Sequence, residues 1–423
     1  MYCNHTKICI IQTMRILIYN NIKEVIMKHF KRSIGKNNEF LKYLIDINKK
    51  GWLDEFSDNH FIIKAINGEM DYFNKYRNLT KRSMYYSYTE DNNCTNFILN
   101  FFPKFQYFCN HFKEKDCEEF VKNQLSAGKS NYMEEQFFRA MSEINIINFL
   151  ISFGPAHLID SIYEPKLGIN GSNPEARLVY SNGITVDVEV KTPGFNKKIS
   201  GNEKGIIIPT FLLEENEKEE LKKICNLNDF KFILPRVGKL KDYINSAGKK
   251  FQRPKDKNHV NLLFINWTYT DVEERGYLEP YSLLYNNLNG ILKNKEMALE
   301  IGIDKDALEK ISAIIVYQDS FDSIIFGDFR YAWNGYKFRM LPNMLIDNNL
   351  IDVDTIKEVT RMNPPKFPDE LMPYEIIVNQ NYLQDSFKIA EFINTMIKTK
   401  VKKEDDNFTY FTPEYFKKQI EVK

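Results

Sequence analysis

The sequence has no CxxC pair, no apolar run of membrane length and no surplus of either charge. Each absence removes a class of function. Six cysteines without CxxC spacing exclude a zinc ribbon and a thioredoxin-type motif, and they read as reduced thiols. The longest apolar stretches, such as Ile206 to Leu213 and Ile311 to Tyr317, fall far short of the roughly 20 residues that a bilayer span requires. No membrane partner is expected. Met1 to His29 mixes apolar residues with Lys7, Arg15, Lys23 and Lys28, without the apolar centre and small-residue cleavage site of a secretory signal. The expected compartment is the cytoplasm. Met27 opens a more hydrophilic stretch, so residues 1–26 are held as an over-called start that N-terminal sequencing would settle. Lys plus Arg (58) nearly equals Asp plus Glu (57), a net charge of +1, so no molecule-wide basic field exists and an anionic partner must meet a local patch.

Several catalytic signatures are also missing. There is no GxxxxGK[ST], no GxGxxG after a strand, no HExxH and no GxSxG. The six histidines are scattered, and Cys109-Asn110-His111 has no second ligand pair at usable spacing, so zinc is not expected.

What is present is a folded chain: 423 residues, 43% hydrophobic, 14% aromatic and 27% charged, enough for two or three domains. Residues 1–125 read as a helical N-terminal region, with apolar residues such as Phe40, Leu41, Leu44 and Ile45 at helical spacing and few Gly or Pro. Tyr132 to Phe153 continues as a helix whose second half is apolar nearly all round, which marks it as buried, and Gly154-Pro155 stops it. Ala176 to Tyr180 and Ile184 to Thr192 are strand-like and flank the turn Ser181-Asn182-Gly183, a hairpin. An insertion is expected at about 196–230, then an amphipathic helix (Leu240, Tyr243, Ile244, Ala247) and a buried strand, Val260 to Trp267. A strand at Ile311 to Tyr317 and a hairpin around Ile324 to Arg339 complete a mixed sheet. Residues 126–345 thus form an α/β core with a central mixed sheet flanked by helices, and 346–423 form a helical C-terminal accessory region broken by prolines.

The chemistry concentrates in the hairpin. On the second strand Asp187, Glu189 and Lys191 share one face, while Val186, Val188 and Val190 share the other. With a three-residue loop at Ser181–Gly183, Tyr180 pairs with Ile184 and Glu175 falls opposite Glu189. Two opposed carboxylates repel, so something positive should sit between them. Mg²⁺ suits this ligand set, and Lys191 would then activate water or neutralise charge on a phosphorane-like transition state. The class suggested is phosphodiester hydrolysis.

Pro174-Glu175 followed by Glu189-Val190-Lys191 resembles the PD-(D/E)xK nuclease superfamily, over roughly Tyr132 to Trp267. Glu175 stands where that family usually has Asp. The resemblance implies a restriction-endonuclease-like core and a metal-dependent nuclease, a DNA endonuclease before an RNA one, with roles such as restriction or phage defence. It implies Glu143, Glu175, Glu189 and Lys191 as catalytic residues. Glu175, Glu189, Asp187 and the main-chain carbonyl of Val190 would hold Mg²⁺, with Mn²⁺ as a substitute. Glu-x-Lys also occurs at Glu164-Pro165-Lys166, Glu220-Leu221-Lys222 and Glu421-Val422-Lys423, but only Glu189-Val190-Lys191 lies in an apolar strand after a hairpin turn.

Lys231 to Lys257 holds nine basic and two acidic residues, a local excess suited to a phosphate backbone. Lys197, Lys198, Lys239, Lys249, Lys250 and Arg253 are the expected nucleic-acid contacts. A homodimer would suit double-strand cleavage, although no dimerisation motif is visible. Blander readings stand beside these. Asp187, Glu189 and Lys191 could form the solvated face of an edge strand, Glu143 could lie on a polar stripe with Glu135 and Arg139, and Arg177 could pair across the hairpin with Asp187 and make it structural. The rival functions are an inactive nucleic-acid-binding protein of the same fold and a protein-interaction scaffold.

Overall fold

The computed structural model describes residues 43, 46–67, 90–192, 204–207, 215–227, 230–233, 237–267, 278–285, 290–317, 338–347, 349–364 and 375–377. These fall into two compact units. One holds the described residues before Phe153 together with Ser161–Tyr163, and the other holds Phe153–Asp160 and the described residues from Glu164 onward.

The first unit is helical: α1 (Phe61–Asn67), α2 (Glu90–Cys109), α3 (Glu114–Phe120), a π-helical turn at Val121–Leu125, and α4 (Glu134–Phe153). Phe97, Phe101, Phe105 and Phe108 recur at three-to-four spacing along α2 and are all buried. The rings of Phe97, Phe101 and Phe105 stack in a column, with centroids 5.4 Å apart for Phe97–Phe101 and 5.7 Å for Phe101–Phe105. α4 is buried continuously from Ala140 to Ile151, as its sequence demands. Buried His60 joins the segments: Ile62 N–H donates to its Nδ1 at 3.0 Å, so Nε2 carries the proton and donates to the Leu125 carbonyl at 2.8 Å. Burial pushes this imidazole down to about pKa 3, against the smaller opposing effect of the Leu125 carbonyl.

The second unit is built on a six-stranded mixed sheet of order β1-β2-β3-β6-β7-β8. The strands are β1 (Leu158–Tyr163), β2 (Ala176–Tyr180), β3 (Thr185–Lys191), β6 (His259–Asn266), β7 (Ala313–Tyr317) and β8 (Phe338–Pro342). β2 runs antiparallel to β3, whereas β3, β6 and β7 are mutually parallel and β8 is antiparallel to β7. Parallel neighbours need a covered crossover. Between β3 and β6 the helix α6 (Val237–Lys250) supplies it. The stripe Leu240, Ile244, Ala247 and Phe251 is fully buried and packs with Leu263, Ile265 and Trp267 of the β6 segment and Ile314 and Val316 of β7. Each such aliphatic side chain contributes about 1.5–3 kcal/mol by leaving water. Helices α7 (Leu278–Tyr285) and α9 (Lys305–Leu308) add to the same cluster, as does Ala298 of α8 (Lys295–Glu300).

The expected α/β class and mixed sheet are thus present. β1 was not expected, being a short edge strand in a stretch whose exposed Ile159 and Ile162 do not alternate with buried positions. Within the insertion, β4 (Lys204–Ile207), α5 (Glu215–Leu227) and β5 (Phe230–Ile233) are ordered elements. β4 and β5 form a second sheet of order β5-β4-β9 with β9 (Glu375–Ile377), a strand from the region expected to be helical. That region also supplies α10 (Val353–Thr360). The first strand expected near Ile324 lies outside the described residues.

Candidate active site

The hairpin forms in the register its loop dictates. Gly183 adopts φ +87°, a conformation open to glycine, and its N–H donates to the Tyr180 carbonyl at 2.9 Å. Tyr180 N–H bonds the Ile184 carbonyl, Arg177 pairs with Asp187 and Ala176 with Val188. Glu175 N–H extends the ladder by bonding the Val188 carbonyl at 2.9 Å, which brings Glu175 opposite Glu189. β3 also pairs with β6, and Asp187, Glu189 and Lys191 align with Asn261, Leu263 and Ile265. Leu263 and Ile265 face α6. The charged face of β3 therefore lies beneath a helix, and the solvated-edge reading is overturned: Asp187 and Glu189 are both 0% exposed.

Helix α6 delivers the balancing charge. Its last residue, Lys250, places Nζ 2.7 Å from Glu189 Oε1 and 3.5 Å from Glu175 Oε1. Lys191 Nζ lies 2.5 Å from the same Glu189 oxygen. These ion pairs lack hydrogen-bond geometry at Glu189, both of whose buried oxygens have no hydrogen-bond partner. Two carboxylates and two ammonium groups thus share one ion-pair cluster, the lysines being about one-fifth exposed. Burial and then the Glu189 charge push the Glu175 carboxyl up to about 7, with Lys250 and Lys191 pulling it back and Glu164 adding to the rise.

Asp187 has a different role. Arg177 grips it through Nε and a terminal nitrogen, both at 2.7 Å, and His259 Nε2 lies 3.0 Å from Oδ2. Burial alone would raise this carboxyl, but the Arg177 and His259 hydrogen bonds outweigh it and hold the pKa below its ordinary value. Expected as a metal ligand, Asp187 is engaged at both oxygens in an ion-pair cluster. Glu143 belongs to the first unit, where it is buried and accepts a hydrogen bond from Tyr163 Oη at 2.9 Å. Val190 is buried and pairs in register with Phe264.

Of the expected nucleic-acid contacts, Lys239 and Lys249 are exposed on α6, and Arg253 is exposed and ion-paired with Glu309. Lys250 turns inward instead, because the stripe Tyr243, Ala247, Lys250 continues the buried face of the helix. Lys197 and Lys198 lie outside the described residues. Two contributors escaped the sequence reading: His259, which heads β6 beside Asp187, and Glu164, which adopts φ +43° and whose N–H bonds the Glu175 carbonyl at 2.9 Å. Only tertiary pairing reveals either one.

Carboxylate oxygens are the ligand type that a hard cation takes. Among the described residues no three His, Cys, Asp or Glu side chains converge as a metal-binding group. The opposed Glu175 and Glu189, with the latter's oxygens buried and lacking hydrogen-bond donors, still fit Mg²⁺, which takes one or two carboxylates and completes its shell with water and phosphate oxygens. Among the described residues no helix is long and apolar enough to cross a membrane. No family model matches the chain, and comparison with curated proteins and with solved structures finds no match.

Proposed function

We propose that this chain is a metal-dependent nuclease with a restriction-endonuclease-like core, acting on DNA. The observation that carries the reading is Glu175, at the head of β2, opposite Glu189, with Lys191 two residues on along the helix-covered face of the central strand β3. The strand order also supports it, since an antiparallel hairpin feeds a parallel strand through a covering helix. Glu175 and Glu189 would hold Mg²⁺ or Mn²⁺, which when bound supplies Lewis-acid charge to the scissile phosphate. Lys191 orients the attacking water and presents N–H donors to the oxygen on which negative charge grows. The water oxygen bonds to phosphorus as the bond to the leaving oxygen breaks; the attacking water gives up one proton to solvent and the leaving oxygen takes one from solvent, so the step balances as hydrolysis. Exposed Lys239 and Lys249 offer contacts to the backbone.

The second reading, an inactive nucleic-acid binder of the same fold, is favoured by the closed charge balance of two lysines on two carboxylates. One assay separates the two. Plasmid, linear duplex, single-stranded DNA and RNA are incubated with Mg²⁺, Mn²⁺ or EDTA, beside a Glu189→Ala/Lys191→Ala double variant. Metal-dependent products that vanish in the variant support the nuclease. Gel-shift binding without cleavage under either metal supports the inactive binder, and cleavage that survives the double substitution overturns the assignment.

A further inference from the structure

We infer that Lys250 is a positioning residue that competes with the divalent cation for the Glu175–Glu189 pair, holding the two carboxylates together until metal displaces it. The inference rests on the nuclease reading for the identity of the competitor. Its basis is geometric. Lys250 Nζ lies 2.7 Å from Glu189 Oε1 and 3.5 Å from Glu175 Oε1, so one ammonium spans the two carboxylates that would be the metal's donors. Lys191 is ion-paired with Glu189.

The anchorage of Lys250 is unusually firm for a helix-terminal residue. The preceding carbonyls at the end of α6 are taken by side chains from elsewhere: Lys249 O by Ser172 Oγ at 2.9 Å and Gly248 O by the buried Lys310 Nζ at 2.9 Å. A side chain at Gly168 would strike Lys249 O at 2.4 Å, so the β1–β2 connection and the helix end approach at backbone distance. The Lys250 backbone is thereby fixed beside the hairpin, and its ammonium is carried on a four-carbon stem, which is flexible by chemistry. With a divalent cation between the carboxylates, the ammonium would face a like charge. A scissile phosphate would offer it a new anion.

The test measures Mn²⁺ binding by calorimetry on the full chain for wild type, Lys250→Met, Lys250→Gln, Lys250→Arg and Glu189→Gln. Removing the competing charge should tighten Mn²⁺ at least about tenfold in Lys250→Met and Lys250→Gln. Lys250→Arg should stay near wild type, and Glu189→Gln should lose binding. Two neutral variants guard against one that fails to fold. Wild-type binding that is lost in Glu189→Gln but unchanged or weaker in both neutral variants overturns the inference while the metal site stands. Tighter Mn²⁺ in the neutral variants, with no metal-dependent cleavage of any nucleic acid by wild type, upholds the inference and overturns the nuclease reading. Absence of Mn²⁺ binding in wild type and both neutral variants overturns both.

Discussion

Replacing Glu175 by Gln in metal-free buffer isolates the electrostatic tension of the site, because Gln keeps the shape of the protonated acid and removes its charge. Burial and the neighbouring Glu189 charge raise the Glu175 carboxyl from its ordinary 4.5 to about 7. That displacement corresponds to about 3 kcal/mol against the ionised form. Its side chain is 12% exposed, so solvent screening makes the figure an upper one. Between these two pKa values the native state binds more protons than the unfolded chain, so wild-type stability should fall as pH rises from about 4.5 to 7 and then level off. The Gln variant lacks this slope. Urea titrations in EDTA should find the two proteins nearly equal at pH 4.5, with the variant ahead by up to about 3 kcal/mol at pH 8. Adding Mg²⁺ at pH 8 should stabilise wild type by about 2.7 kcal/mol at one hundred times its Kd, and the variant much less. A pH-independent difference, or a variant less stable than wild type at pH 8, would refute the reasoning by showing that the two lysines outweigh burial and Glu189.

Other perturbations probe the scaffold. Asp187→Asn should destabilise by about 3–5 kcal/mol at pH 7, because it strands a buried part of the Arg177–His259 cluster. Since the folded pKa of Asp187 is depressed, its contribution is present above the unfolded value near 4 and is lost as pH falls through the folded value; urea melts at pH 7 and pH 3 test both statements. His60 is neutral when folded and drawn down to about 3, so its contribution is full above the unfolded value of 6.5 and declines as pH falls from there toward 3. His60→Phe should lower stability at pH 7 by about 1–3 kcal/mol through the lost Leu125 and Ile62 bonds, yet remove this acid dependence. Gly248→Ala would drive a Cβ to within 2.3 Å of the Ala307 Cβ, where α6 meets α9. Thermal melts should register a loss of about 1–3 kcal/mol, with partial recovery in Gly248→Ala/Ala307→Gly.

Much of the site was legible because a hairpin is a local object. The loop length and Gly183 determine which residues oppose each other, so Glu175 against Glu189 and Arg177 against Asp187 followed from counting. The burial of that face was not legible in β3 alone, since alternating charge looks the same on an open edge as beneath α6; the parallel partner β6 decides it. Lys250 was counted among the basic residues of its segment, although its place on the Tyr243–Ala247 stripe was the available signal that it points inward. His259 and Glu164 reach the site through strand ends brought together only by the folded sheet. β9 was illegible for the same reason: three residues near prolines become a strand only by pairing with β4.

The parallel pairing of β3 with β6 joins segments separated by the whole insertion and α6. A slip of one residue against β6 during assembly would turn Asp187 and Glu189 into the layer now filled by Val186, Val188 and Val190, away from His259 of β6 and Lys250 of α6, while Arg177 and Lys191 move with the hairpin. Misaligned intermediates would then carry the two carboxylates without His259 and Lys250, so the acidic residues double as proofreaders of strand alignment. A chain that has closed its sheet has in the same event brought His259 and Lys250 onto the carboxylates of its hairpin.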